Sequence, residues 1–362
     1  MELRKLTIQS FRNLSSLTLA PGPGFNVFWG ANGAGKTSIL EAIHTLSQGK
    51  SFRSGAVRDL IQYQQSSFVI SAELVRSGSL HHIGIERSRE RMRARIDYED
   101  VGSIRELARN LPVISIHPGS FALITGEPAA RRAFLDWGLF FADAGFHDHW
   151  LRYARALKQR NAAIRLGSSP RLIRQWDEAL VEHGEIISRA RQGYLQQIAE
   201  GLPSTAEQFS WQDKLALNYR WGWPDNQSLA EVLEQNIDRD RQLGFTFAGP
   251  HRGDFSTRFC DHDAARFGSR GQVKMITLLL KLTQARLFAN QFDRKCVLLL
   301  DDVASELDQE RQLQLIGVVY RLGLQTFVTS VEKNAELYRG ASDTRMFHVK
   351  HGKLSRNSHR VV

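Results

Sequence analysis

Gly30-Ala31-Asn32-Gly33-Ala34-Gly35-Lys36-Thr37 fits the pattern G-x-x-x-x-G-K-[ST] at every fixed position. In that spacing the backbone N–H groups turn toward an anion, the lysine reaches the β- and γ-phosphates of a nucleoside triphosphate such as ATP, and the hydroxyl ligates Mg²⁺. The helix that must begin near Lys36 adds about half a positive charge at the same place. Far along the chain, Val297-Leu298-Leu299-Leu300-Asp301-Asp302 is an apolar run ending in two carboxylates. At the carboxyl edge of a parallel sheet, Asp301 would hold the metal, directly or through water. Asp302 would face the space beyond the γ-phosphate, where a carboxylate orients or deprotonates attacking water. Acids at strand ends are common, so the second motif draws its weight from the first.

A third feature, Gly268-Ser269-Arg270-Gly271-Gln272, precedes that strand and opens a helix. Ser269 with Gln272 has the spacing of a capping box, in which each side chain satisfies a backbone N–H at the helix start. The same geometry makes a serine-capped helix N-terminus an anion site, and the residues alone leave both readings open.

These groups need a scaffold that brings loop and carboxylates together. Phe25, Val27, Phe28 and Trp29 read as a strand, and Ile39, Leu40, Ile43 and Leu46 then recur at helical spacing. Strand-like runs dominate to about residue 115: Leu6 and Ile8, Leu17 and Leu19, Phe68 to Ile70, Ile83 and Ile85. A helical pattern follows, with Trp150, Tyr153, Ala154 and Leu157 on one face and Trp176, Leu180, His183 and Ile187 on another. Toward the C-terminus Gly271 to Phe288 reads as a helix, Cys296 to Leu300 as a buried parallel strand, Gln309 to Leu322 as a helix and Thr326 to Thr329 as a strand. The prediction is an α/β fold: a mixed sheet around the phosphate loop, built from residues 1–115 and 260–362, with 116–259 as a helical insertion.

Lys plus Arg outnumber Asp plus Glu by 48 to 38 among 362 residues. The net charge of +10 suits a polyanionic partner, nucleic acid first, although a protein can be basic without one. Arg87, Arg89, Arg91, Arg93 and Arg95 recur at every second position, so a single strand here would put all of them on one face against a phosphate backbone. A solvated strand with Glu86 and Glu90 offsetting the charge is the plainer alternative. Arg152, Arg155, Lys158 and Arg160 form a second candidate on one helix, or an ordinary exposed face. Neither patch interleaves aromatics, which favours duplex or junction DNA over stacking on single strands. No apolar stretch reaches membrane-span length, and Met1-Glu2-Leu3-Arg4 has no signal-peptide layout, so a cytoplasmic protein is expected. Cys260 and Cys296 form no C-x-x-C pair and suggest neither zinc nor a disulfide framework.

The order of phosphate loop, Ser-Arg-Gly-Gln, Leu-Leu-Leu-Asp-Asp and then Ser305-Glu306-Leu307-Asp308 resembles the ABC-type ATPases of chromosome maintenance and repair. Within them the chain is similar over nearly its whole length to the bacterial RecF family. The likeness is carried by Phe11-Arg12-Asn13, Leu40-Glu41-Ala42-Ile43, Ser51-Phe52-Arg53, Arg131 to Asp136, Gln159-Arg160-Asn161, Gly249-Pro250-His251-Arg252 and the run from Asp301 to Asp308. The resemblance implies an ABC-type ATPase head with the insertion as a second lobe, binding ATP and Mg²⁺, and two heads dimerising around the nucleotide. It implies that Ser269 acts across the dimer, that Asp308 abuts the opposite nucleotide, and that Arg12 approaches the phosphates. It further implies single- and double-stranded DNA as partner at gaps or junctions, and RecR and RecO as mediators that help load recombinase.

Three positions depart from the wider ABC pattern. Gly268 and Arg270 alter the signature, no histidine follows Thr326 to Thr329, and His117-Pro118-Gly119 stands where a metal-sensing glutamine is frequent. Slow hydrolysis is the expectation. The energy-supplying subunit of a membrane transporter would share the ATP motifs, but Arg270 and the basic charge disfavour it; a DNA-binding scaffold with ATP as mere ligand is the other alternative.

Overall fold

The computed structural model describes residues 1–292, 295–303 and 307–355. They form two compact units, one made of residues 1–120 with 288–362 and the other of residues 121–287.

In the first unit the strands are β1 (Glu2–Phe11), β2 (Leu14–Leu19), β3 (Phe25–Trp29), β4 (Ser67–Arg76), β5 (Ser79–Ser88), β6 (Met92–Ile96), β7 (Glu99–Asp100) and β8 (Val113–Ile116). The second unit holds β9 (Leu215–Arg220), β10 (Asp254–Phe259) and β11 (His262–Asp263), and the chain then adds β12 (Val297–Leu300), β13 (Thr326–Ser330), β14 (Arg345–Lys350) and β15 (Lys353–Leu354) to the first. One sheet of the first unit is antiparallel, ordered β2-β1-β4-β5-β6-β7; the other, ordered β15-β14-β3-β13-β12-β8, is parallel from β14 to β8.

The helix Lys36–Gln48 supplies Ile39, Leu40, Ala42, Ile43 and Leu46 to one core. Leu6, Ile8, Phe68, Ile70 and Ile85 of the antiparallel sheet and Phe28, Leu299 and Phe327 of the parallel sheet join them there. The register of β1 on β4 shifts between Leu3 and Lys5, so buried Leu3 and then Leu6 and Ile8 reach the same core despite their opposite parity. Strand β12, flanked by parallel neighbours on both sides, buries all of Val-Leu-Leu-Leu. That continuous apolar run ends where Asp301 begins, so the core itself fixes the carboxylate at the sheet edge.

The second unit is mostly helical, including Pro128–Ala142, Phe146–Arg165 and Asp177–Glu207, with a small sheet ordered β11-β10-β9. Its interior carries ion pairs. Arg191 grips Asp136 bidentately at 2.7 and 2.8 Å and donates to Pro250 O at 2.7 Å.

The unit's return boundary corrects the sequence reading, which placed it at 260. The strands β10 and β11 pair with β9, and the helix Arg270–Phe292 bonds to helical neighbours. Thr283 donates to Thr205, Gln284 to Phe134 O, and Arg286 to Ser204 and Gly201 O. These bonds hold residues up to 287 in the helical unit.

Candidate nucleotide site

The phosphate loop lies between β3 and the helix Lys36–Gln48. Gly30 has φ 145°, and a Cβ there would stand 2.3 Å from Val349 O, so only glycine lets the loop leave the sheet beside β14. Gly35 caps the helix at φ 110°, in the left-handed region. Asn13, in the turn between β1 and β2, braces the loop: its Nδ2 donates to Gly33 O at 3.2 Å and its Oδ1 accepts from Ser38 Oγ at 2.8 Å.

Lys36 Nζ donates to Gly30 O at 2.6 Å and Ala31 O at 3.0 Å, closing the loop over its own ammonium. Burial lowers the Lys36 pKa, opposed by the nearby charges of Asp302 and Asp301. Thr37 Oγ1 donates to Asp301 Oδ1 at 2.8 Å, which joins the two sequence motifs across most of the chain. Thr329 Oγ1 donates to the same oxygen at 3.0 Å and accepts the Asp302 N–H at 2.8 Å. Burial raises the Asp301 pKa, countered by the hydroxyls of Thr37 and Thr329 and by the charge of Arg53. Asp302 leaves the strand with φ 56°, a left-handed conformation that aspartate tolerates better than most residues.

Around these groups opens a cavity of about 840 Å³, within the size range of small-molecule sites. Asn32, Gly33, Gly35, Lys36 and Thr37 line it on the loop side, and Asp301, Asp302 and Thr329 on the sheet side. Hydroxyl and carboxylate oxygens are the hard donors that Mg²⁺ prefers, so the Thr37 and Asp301 set fits that ion.

Arg12 also lines the cavity, with its guanidinium committed to the protein. It holds buried Glu41 through Nε at 3.0 Å and Nη2 at 2.6 Å, and donates to Asp59 O at 2.6 Å. Arg53, Phe52 and His117 lie on the same walls, and the Phe52 and His117 rings stack with centroids 4.4 Å apart. Sequence reasoning gave no role to Asn13, Phe52 or Arg53; their only signal was membership in short motifs, since the bonds they make are set by tertiary packing.

Ser269 belongs to the helical unit and is exposed. It forms the expected capping box, with Ser269 N–H on Gln272 Oε1 at 2.9 Å and Gln272 N–H on Ser269 Oγ at 3.3 Å. Asp308 caps the helix Gln309–Leu322, accepting the Arg311 N–H at 2.9 Å. Ser305 and Glu306 of the same motif lie outside the described residues.

The arginine row is a correction. Ser88 accepts the N–H groups of Glu90 and Arg91 and turns the chain, so Arg89 and Arg91 lie in a hairpin turn rather than on a strand. Arg87 pairs with Met92 in register with buried Ile85 and Ala94, whereas Arg93 and Arg95 pair with Glu86 and Gly84 on the opposite face. Arg93 further binds Asp100 bidentately at 2.7 and 2.8 Å, and Arg95 reaches it at 3.1 Å. These bonds hold the Asp100 pKa down at about 2. On the helix Phe146–Arg165, Arg152, Arg155 and Lys158 are exposed, but Arg160 is fully buried and ion-paired, so it leaves that patch.

The RecF/RecN/SMC N terminal domain model matches residues 2–355. The DNA replication and repair protein RecF of Thioalkalivibrio sulfidiphilus (strain HL-EbGR7) is 40% identical over 356 residues, covering 98% of this chain and 99% of that one. The chain belongs to the RecF family. The RecF of Pseudomonas aeruginosa (strain UCBPP-PA14) is 37% identical over 363 residues, covering 99% of this chain and 98% of its own. The solved recombination mediator protein RecF with ATP in the RecFOR pathway superposes with a TM-score of 0.87 at 25% identity, covering 98% of this chain and 96% of the other. An Smc head bound to the C-terminal winged-helix domain of ScpA, with a TM-score of 0.61 at 13% identity, shares the fold. The RecF family thus accounts for the ABC-type head and the mixed α/β fold. Among the described residues no helix is long and apolar enough to cross a membrane.

Proposed function

We propose that the protein is a slow ATPase whose nucleotide occupancy joins two copies around DNA. The observation that carries this is the Thr37 to Asp301 bond of 2.8 Å, which sets the phosphate loop against the carboxylate strand inside one cavity. Lys36 and the loop N–H groups hold the triphosphate, while Thr37 and Asp301 are the residues that would hold Mg²⁺. When bound, that ion neutralises charge developing on the β- and γ-phosphates. Asp302 orients the attacking water and takes its proton. Arg12 supports the site by holding Glu41 and lines the same cavity, from which it would approach the phosphates.

The exposed Ser269 cap and the Asp308 cap are the helix N-termini suited to meet the nucleotide of a second copy. In this reading ATP makes a homodimer, hydrolysis releases it, and the protein is cytoplasmic. DNA, duplex or at a gap or single-strand junction, lies against Arg152, Arg155 and Lys158, with Arg89 and Arg91 as further exposed charges. RecR and RecO act with this protein as mediators to load recombinase and restart replication, a reading supported by the similarity to a RecF of the RecFOR pathway. Light scattering on Ser269→Arg tests the dimer. ATP binding is retained and the ATP-induced dimer is lost; a normal dimer with ATP overturns the proposal.

A further inference from the structure

We infer that Thr329 is a positioning residue that sets both carboxylates of the ATP site through one hydroxyl. This rests on the proposed ATPase reading. Thr329 lies on β13, hydrogen-bonded in parallel to β12, whose end carries Asp301 and Asp302. Its Oγ1 is 3.0 Å from Asp301 Oδ1 and 2.8 Å from Asp302 N. An amide N–H only donates, so the hydroxyl accepts there and must spend its own proton on Asp301. Both directions of hydrogen bonding are therefore fixed, and with them the side chain's rotamer. Thr329 is 2% exposed, which shields both bonds from water.

The two bonds have separate consequences. The bond to Asp301 aims its Oδ1, the oxygen that also receives Thr37, so it orients the group that would face the cation. The bond from Asp302 N–H anchors the chain where φ turns to 56° and thereby directs the Asp302 side chain toward the cavity it lines. Groups that orient a metal-binding carboxylate are typically worth about 10–100-fold in metal affinity or activity. Valine has the shape of threonine without the hydroxyl, and serine keeps the hydroxyl.

The test compares wild type, Thr329→Val, Thr329→Ser and Lys36→Met in steady-state ATP hydrolysis. It also measures affinity for a fluorescent ATP analogue across a Mg²⁺ titration and in EDTA. The inference expects Thr329→Val to lower kcat about 10–100-fold and to raise the Mg²⁺ needed for tight nucleotide binding, with affinity in EDTA close to wild type, a melting temperature lower by about a few degrees for the two hydrogen bonds removed, and Thr329→Ser restored in all of these. Unchanged kcat and Mg²⁺ dependence in Thr329→Val overturns it, as does an equal loss in Thr329→Ser. Should Thr329→Val fail to fold, Thr329→Ser and Thr329→Ala carry the comparison, and serine no better than alanine overturns it. A wild type no faster than Lys36→Met would instead sink the ATPase reading itself.

Discussion

Arg160 offers a sharp separation between a buried ion pair and a DNA contact. Its guanidinium is fully buried, with Nε 2.7 Å from Asp177, and Nη1 2.6 Å from Asp240 and 2.9 Å from Thr246. Asp240 is 1% exposed, so Arg160→Leu leaves a carboxylate with no water to take the guanidinium's place. Stranding one partner of a buried pair costs about 3–5 kcal/mol. Asp177 keeps access to solvent at 19% side-chain exposure and adds little. For a unit the size of residues 121–287, each kcal/mol moves the melting temperature by about 2–4 °C, so a fall of roughly 6–20 °C is expected. Thermal and urea unfolding followed by circular dichroism measure it, and Arg160→Leu with Asp240→Asn recovers most of the loss because the one carboxylate left without its arginine, Asp177, reaches solvent. DNA affinity at a temperature where the variant is folded stays at the wild-type value. A variant of normal stability with weakened DNA binding would refute the reasoning.

Replacing Arg152, Arg155 and Lys158 together by Ala weakens DNA binding and lowers the salt slope by about 2–3 by titration in increasing salt, whereas Arg93 and Arg95 changed to Ala has the smaller effect because Asp100 already engages both; the reverse order would assign the DNA face to the hairpin. His251, bonded to Tyr153 and Thr246 O, has its pKa pushed down by burial to about 4. The unfolded chain therefore binds a proton that the folded chain does not between pH 6.5 and 4, and stability is lost as pH falls through that window. Urea titrations at pH 7 and 5 should show wild type losing about 2 kcal/mol more than His251→Gln; equal losses would contradict the buried neutral state.

The candidate nucleotide site is legible because the residues it gathers follow local rules. The loop from Gly30 to Thr37 needs glycines and a Lys-Thr pair at fixed spacing, and Asp301 follows an apolar strand that can only be central. The Ser269 cap was readable for the same reason, since donor and acceptor lie three residues apart. What escaped depends on pairing across the fold. The alternation of Arg87 to Arg95 looked like one strand, yet Ser88 turned it into a hairpin and the register sent Arg87 to the other face. Arg160 shared a helix with three exposed cations, and only Asp177 and Asp240, distant in sequence, made it internal. The return boundary is not legible past 260 because the helix Arg270–Phe292 is buried on nearly every side, so its sequence shows no solvent face that tells which unit it packs into.

The most direct measurement of the central claim is steady-state ATP hydrolysis by the wild-type protein and by Lys36→Met, each with and without a gapped duplex. A slow wild-type turnover, above the Lys36→Met blank and raised by the DNA, is the predicted result. A wild type that matches the blank in both conditions would contradict it.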